Sequence, residues 1–399
     1  MSDENKALSG IRVVDLTEAL AGPYCGMMLG DLGADVVKIE RPGRGDQARG
    51  YGPPFAQGES AYFMSLNRNK RSLTLNLADP KGQEIMASLL IKADVFLLNL
   101  PRQTSWKKYG FAYEDVTKKN PGIIYAAISG YGHSGPRAGE PGYDVIAQAE
   151  SGTMSLTGEP DGAPMRFPTP MADMTTGLYA TIGLLAALQA REKSGRGQIL
   201  DLSLLECQAS WLTNLVPGFF LTGSPPQRIG NAHPMLAPYR LYQARDRGFN
   251  VGVGTDTLWQ RFCQAIDKMD LVDDPRFETN ADRVLNRELL EPILDDQFGK
   301  ENADHWLEKL RAARIPCGPV NTMADILDDK HFQARGGLVE LEHPLVEKVK
   351  TLANPIHFSE TPPSYDRHPP LLGEHNDEIL LALGYRHEDI EELRKNGVV

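Results

Sequence analysis

Several things are scarce in this 399-residue sequence. It holds four cysteines, Cys25, Cys207, Cys263 and Cys317, with no CxxC pair, which excludes a disulfide framework and a thiolate zinc site. No metal centre is expected. The N-terminal MSDENKALSG is polar and no long uninterrupted apolar run follows, so neither a signal peptide nor a spanning helix is expected, and the expected location is cytoplasmic. Positive charge is also short. Lys and Arg number 42 against 53 Asp and Glu, for a net charge of -11, the wrong sign for a nucleic-acid surface. Small molecules are the expected partners, with no nucleic acid and no membrane. The loop after the first strand pattern, TEALAGPYCG, contains no GxGxxG, and dinucleotide binding thereby loses its phosphate cradle.

What the sequence does hold is alternation. IRVVDL, ADVVKIE, RSLTLNL, ADVFLLNL and GIIYAAISGYG are short β-branched runs separated by helical patterns such as AGPYCGMMLGDLG and DPKGQEIMASLLIK. Strand, helix and strand at regular intervals predict an α/β fold, a Rossmann-like large domain with a parallel sheet. The Pro- and Gly-rich GFFLTGSPPQRIGNAHPMLAPY breaks the pattern. Residues 1–217 are therefore read as the large domain, 218–238 as a linker, 239–325 as a smaller α+β domain, and 326–399 as a linker and return to the large domain. GLVELEHPLVEKVKTLANPIHF predicts an antiparallel pair within that return.

One acid, Asp173, opens the apolar run of PTPMADMTTGLYATIGLLAAL. Asp is a preferred N-cap, which would start the helix at Met174. A carboxylate at a helix N-terminus is also a usable nucleophile, held charged by the dipole and by free N–H groups.

GIRVVDLTEALAGPYCGMMLGDLGADVVKIERP, NRNKRSLTLNL, ISGYGHSGP, GYDVIAQAESGTMSLTGEPDGAP, PMADMTTGLYATIGLLAALQAREKSGRGQ and PPLLGEHNDEIL follow one another along nearly the whole chain. Together they resemble the class III CoA-transferases, a family similar in fold to the α-methylacyl-CoA racemases. The resemblance implies transfer of CoA between carboxylic acids through the enzyme's own aspartate, which falls on Asp173. Attack on an acyl-CoA gives a mixed anhydride and CoA thiolate. The thiolate then forms an aspartyl-CoA thioester and releases the donor acid, and the acceptor acid reverses the sequence. It further implies an interlocked homodimer, CoA thioesters as substrates and no permanently bound cofactor.

The resemblance also assigns roles. Arg41, Lys70, Arg71, Lys108 and Tyr143 fall on CoA-contacting positions; for each cation the plain alternative is a solvated surface charge. Asp144 falls on an acid that lies near the nucleophile in transferases and serves equally well as a cap. A glycine loop that supports the reacting centre falls near Gly230 and His233. Leu20 stands where the formyl-CoA transferase branch has Gln, which argues against formyl-CoA and oxalate. The racemase branch carries His in a GHD motif; here GYD places Tyr143 there, and a phenol that ionises near ~10 is a poor proton-exchange group at neutral pH. NLPRQTSWKKYG is one residue longer than the related loop, with Arg102 as a substitute contact. The nearest resemblance in substrate is to succinyl-CoA with a second dicarboxylic acid, whose distal carboxylate needs a cation such as Arg49, Arg68 or His233. His133, among turn formers, is read as structural.

Overall fold

The computed structural model describes residues 6–99 and 103–399. Two compact units emerge: residues 1–154, 166–221 and 333–399 form one, and residues 155–165 with 222–332 form the other. The sequence reading divides the chain differently. It leaves 218–238 as a linker and keeps 155–165 in the large domain, whereas the structure assigns 222–238 and 155–165 to the second unit. The second of these has a visible cause. The Arg228 guanidinium donates to the carbonyls of Ser155 (3.1 Å), Glu159 (3.3 Å) and Gly162 (2.8 Å), a long-range tie with no local pattern in sequence.

The first unit is built on a six-stranded parallel sheet of β1 (Arg12–Leu16), β2 (Asp35–Glu40), β3 (Lys70–Thr74), β4 (Val95–Leu98), β5 (Ile124–Ser129) and β6 (Ile199–Ser203), ordered β3-β2-β1-β4-β5-β6. Period-2 alternation splits its side chains between two cores. Val14, Val37, Leu73, Phe96 and Tyr125 face one side with the C-terminal Ile379, Leu380, Ile390 and Leu393. Val13, Val36, Val95, Leu97 and Ala126 face the other. Helices on both faces explain why the inner strands read as continuous apolar runs.

On the second face lie α1 (Ala21–Asp31), α2 (Asp144–Glu150), α3 (Met171–Ser194) and α4 (Leu204–Ala209). Gly177 lets α3 cross α1 closely, since a Cβ there would stand 2.7 Å from the Ala21 carbonyl oxygen. The 24 residues of α3 are long and apolar enough, by composition, to cross a membrane, and half of its most apolar window is buried within the unit. Its C-terminus closes on Gly195 in the left-handed conformation, φ 68°.

On the α1 side of the sheet, buried charges are paired. Lys70 Nζ meets Asp15 (3.0 Å) and Lys38 Nζ meets Asp46 (2.7 Å), all four side chains fully enclosed. The antiparallel pair Leu338–His343 and Glu347–Leu352 belongs to this unit.

The second unit has a three-stranded antiparallel sheet of Tyr239–Gln243, Gly248–Gly252 and Cys317–Pro319. The amphipathic helices Asp256–Ala265, Arg287–Phe298 and Ala303–Ala312 pack on it around Trp259, Phe262, Phe298 and Trp306.

Candidate active site

In a doubly wound sheet the connections from β1 and β4 leave in opposite directions, opening a crevice beyond the carboxyl ends of those strands. A cavity of about 300 Å³ lies there, within the first unit. Glu18, Ala19, Leu20 and Ala21, after β1, form one wall; Asn99, after β4, and Ser129 and Gly130, at the end of β5, form the next. Arg41, Tyr143 and Asp173 complete the functional side chains around it.

The β1 wall is held from behind. The Asn99 amide and the Glu18 backbone exchange two hydrogen bonds, 3.0 and 2.7 Å. Ala19 sits in the left-handed region at φ 70°, a conformation that costs a residue with a Cβ roughly 1–2 kcal/mol. Its N–H donates to the buried Asp46 carboxylate at 3.0 Å, which the Lys38 ion pair in turn anchors. Backbone strain set into a cavity wall is commonly functional. The α1 helix then begins, with Leu20 at its N-cap position and no side-chain acceptor for its first N–H groups.

Asp173 is half-buried in the first turn of α3, at the third helical residue. It is not the N-cap expected from sequence: the helix starts at Met171, behind Pro170. The cap comes from Asp144, whose Oδ1 accepts the N–H groups of Ala172 (2.8 Å) and Asp173 (3.4 Å). The expectation that the helix N-terminus keeps Asp173 ionised is corrected as well. Burial pushes its carboxyl up to about 7, and the charge of Asp144 adds to the rise. Desolvation and a like charge outweigh the dipole because Asp144 already occupies the N–H groups of the first turn.

The wall carrying Tyr143 and Asp144 is seated by glycine. A Cβ on Gly142 would stand 2.6 Å from the Gly130 Cα, and one on Gly130 2.7 Å from the Gly142 Cα. Two main chains touch there with no room for a side chain.

Of the cations assigned from sequence, only Arg41 reaches this cavity among the described residues. It is largely exposed and pairs with Glu18 at 3.1 Å; burial raises the Glu18 carboxyl. Most of the others are spent on carboxylates within the same unit. Lys70 is enclosed and donates to Asp15, the Pro23 carbonyl and Asn67. Arg68 grips Asp31 (2.9 and 2.6 Å) and the Leu352 carbonyl. Arg49 grips Glu40 (2.7 and 2.8 Å) and the Pro370 carbonyl, its guanidinium 3.7 Å over the Phe63 ring. Arg71 holds Asp35 and Glu378 at the opposite end of the sheet. The NRNKRSL segment therefore fastens the C-terminal return to the sheet and offers no buried cation to a phosphate. Lys108 is exposed at the end of the helix Gln103–Lys108 and does not line the cavity. Arg102 lies outside the described residues.

Gly230 and His233 belong to the second unit. The His233 Nδ1 accepts the Met235 N–H at 3.1 Å and its carbonyl accepts from Arg287 at 2.6 Å, which makes it a turn-forming residue. His133 likewise braces a turn: its N–H donates to Asp201 and its ring packs on Trp106 at 4.9 Å.

Sequence reasoning missed Glu18, Asn99, Tyr51 and Tyr62. Tyr62 packs edge-on to Tyr51 at 5.2 Å, and burial together with the Asp173 charge raises both phenols. The available signal was positional, since Glu18 and Asn99 follow directly on the two strands that flank the switch point.

Residues 8–376 match the family model described as CoA-transferase family III. The chain belongs to CoA-transferase family III. It is 39% identical, over its whole length and 91% of the relative, to the mouse succinyl-CoA:glutarate CoA-transferase. It is 38% identical to the succinyl-CoA:mesaconate CoA-transferase of Haloarcula hispanica, over 95% of this chain and 96% of that one. Among solved structures, a CAIB/BAIF family protein from Brucella suis superimposes with a TM-score of 0.83 at 38% identity, covering 95% of this chain and 100% of that one. The racemase alternative, raised by the shared fold, has no histidine among the described residues lining the family III cavity.

Proposed function

We propose that this family III CoA-transferase moves CoA from succinyl-CoA to a second dicarboxylic acid, with Asp173 as the covalent carrier. The observation that carries the reading is the Asp173 carboxylate on the wall of the switch-point cavity, with Arg41 the one cation among the described lining residues. Relatives named for succinyl-CoA with glutarate or mesaconate support the choice of acids. Of the groups first considered for the distal carboxylate, Arg49 and Arg68 are committed to Glu40 and Asp31 and the His233 ring accepts the Met235 N–H; in this reading Arg41, on the cavity wall, takes that role.

In this reading the ionised Asp173 attacks the thioester carbonyl, the C–S bond breaks, and CoA leaves as thiolate. The thiolate attacks the aspartyl carbonyl of the resulting anhydride and frees succinate, leaving Asp173 as the CoA thioester. The acceptor carboxylate attacks that thioester, and thiolate return to the acyl carbonyl regenerates Asp173. No proton, metal or hydride is consumed in the exchange. Each oxyanion needs donors, and the start of α1 supplies backbone N–H groups to the same wall. Arg41 serves the anionic parts of the ligand.

Exposed apolar side chains on α3 and beyond it, Tyr179, Ile182, Phe220 and Leu221 among them, support a homodimer, which light scattering tests. Mass spectrometry of the thioesters formed from succinyl-CoA and a mixture of acids tests the chemistry. Dicarboxyl-CoA products are expected; monocarboxyl products alone, or α-proton exchange without transfer, overturn the reading.

A further inference from the structure

We propose that Gln148 is a positioning residue for transfer: its buried side-chain amide fixes the Asp144 carboxylate against the first turn of the helix that carries Asp173. The proposal rests on Asp173 as the nucleophile.

Gln148 lies one turn along α2 from Asp144 and is 2% exposed. Its Nε2 donates to Asp144 Oδ2 at 2.7 Å, while Oδ1 of the same carboxylate accepts from Ala172 and Asp173. Its Oε1 accepts the Phe167 N–H at 2.8 Å, so the amide also holds the segment that leads into α3. Turned over, the amide would set oxygen against the Asp144 carboxylate and NH2 against the Phe167 N–H, two repulsions in a buried place; one orientation is therefore enforced. The Gln148 carbonyl accepts from Ser151 (3.2 Å) and Thr153 (3.1 Å), and Gln208 of α4 donates to the Thr153 hydroxyl at 3.2 Å. The clamp is thus itself held from a third helix.

Packing alone does not require an amide here. An apolar side chain of the same length would fill the space but leave Asp144 Oδ2 and the Phe167 N–H unpartnered. What the amide adds is a fixed direction for the charge that lies against Asp173. The groups facing Asp173 are Asp144 from α2, Tyr51 and Tyr62 from the 47–64 segment, and Glu18 and Arg41 across the cavity. Tyr24 of α1 and Cys207 of α4 meet the same helix farther along, at Gly177 and Thr176. Of these, Asp144 alone bonds to the Asp173 backbone among the described residues. Withdrawing the Gln148 donor frees the Asp144 carboxylate to turn, so its charge no longer meets Asp173 from one fixed direction.

The test compares Gln148→Met and Gln148→Glu in the full chain, with Asp173→Asn beside them, reading circular dichroism, CoA binding, kcat and KM across neutral pH. Both Gln148 variants should keep KM for succinyl-CoA within about twofold while kcat at neutral pH falls at least ~10-fold, because misplacing a reacting group by ~1 Å costs on the order of 100-fold. The acid limb of kcat should move from its parent position in both, and upward in Gln148→Glu, where a further carboxylate stands near Asp173. A folded variant with unchanged kcat and acid limb, or a loss confined to KM, overturns the proposal. So does loss of folding in both, which would make the clamp a requirement of the fold. Transfer surviving in Asp173→Asn instead overturns the reading beneath it.

Discussion

The carboxylate of Asp144 accepts the backbone N–H of Asp173 at 3.4 Å and that of Ala172 at 2.8 Å, so one acid closes the helix on which the other acid stands. The two charges are brought together by the main chain of a single turn. As the proposed nucleophile Asp173 needs its charge, and burial with the Asp144 charge lifts its carboxyl to about 7. Below that value it is mostly protonated and cannot serve as a nucleophile. Transfer should therefore rise with pH along an acid limb near 7 and level above it. A rate that is flat from about pH 5 upward, well above the usual carboxylate range, would show that Asp173 is ionised throughout.

The same shift has a cost in stability, and its sign is fixed by linkage. A carboxyl whose folded value lies above its unfolded one binds more protons in the folded state between the two values. Stability falls as pH rises through that window, from the unfolded carboxylate range to about 7, and is not regained above it. Asp173→Asn removes the charge at constant size. At pH above 7 it should melt higher than the parent by roughly 2 kcal/mol, a figure reduced from the full shift because the group is only half-buried. Near pH 4 the two should melt together. Thermal denaturation at the two pH values, with transfer lost in the variant at both, checks it.

The sheet was legible because its inner strands carry β-branched runs and its crossovers carry helical periods, and β1, β2 and β4 fall within a residue or two of their expected places. Asp173 was legible through its motif. Its neighbours were not, for two physical reasons. Charge in a motif does not say whether a carboxylate elsewhere in the chain has already claimed it: Arg68 meets Asp31 and Leu352, and Arg49 meets Glu40 and Pro370, partners that no local spacing announces. Helix starts are likewise undetermined when the cap comes from another element. Asp144 lies 29 residues before Asp173, and a reading confined to the residues beside Met174 finds only Asp173 to close the helix.

The cations should sort accordingly. Arg41→Ala removes an exposed side chain from the cavity wall, and should raise KM for acyl-CoA with little change in melting, since an exposed pair contributes at most ~1 kcal/mol. Lys70→Ala leaves Asp15 charged and enclosed without its partner, at a cost of about 3–5 kcal/mol. Its loss should be one of folded protein, with KM unchanged in whatever remains active. The two effects exchanged, with Lys70→Ala stable and weak in CoA binding, would return the NRNKRSL segment to the substrate site.

Gly142→Ala tests whether the wall beneath Tyr143 and Asp144 is fixed by main-chain contact. The added Cβ would lie 2.6 Å from the Gly130 Cα, and backbone cannot rotate aside as a side chain can. Restoring ordinary contact at about 3.5 Å moves the Gly142 segment away from the end of β5 by ~1 Å. Overpacking of that kind costs roughly 1–3 kcal/mol. The larger consequence is for Asp144, two residues on, which carries the displacement into the first turn of α3. The expected result is a folded protein with a lower melting temperature and kcat down on the order of 100-fold. Gly318→Ala, where no atom stands within 4 Å of the added Cβ, should leave both unchanged. If Gly142→Ala melts lower but turns over normally, the glycine contact serves the fold alone and Asp144 takes its position from α2.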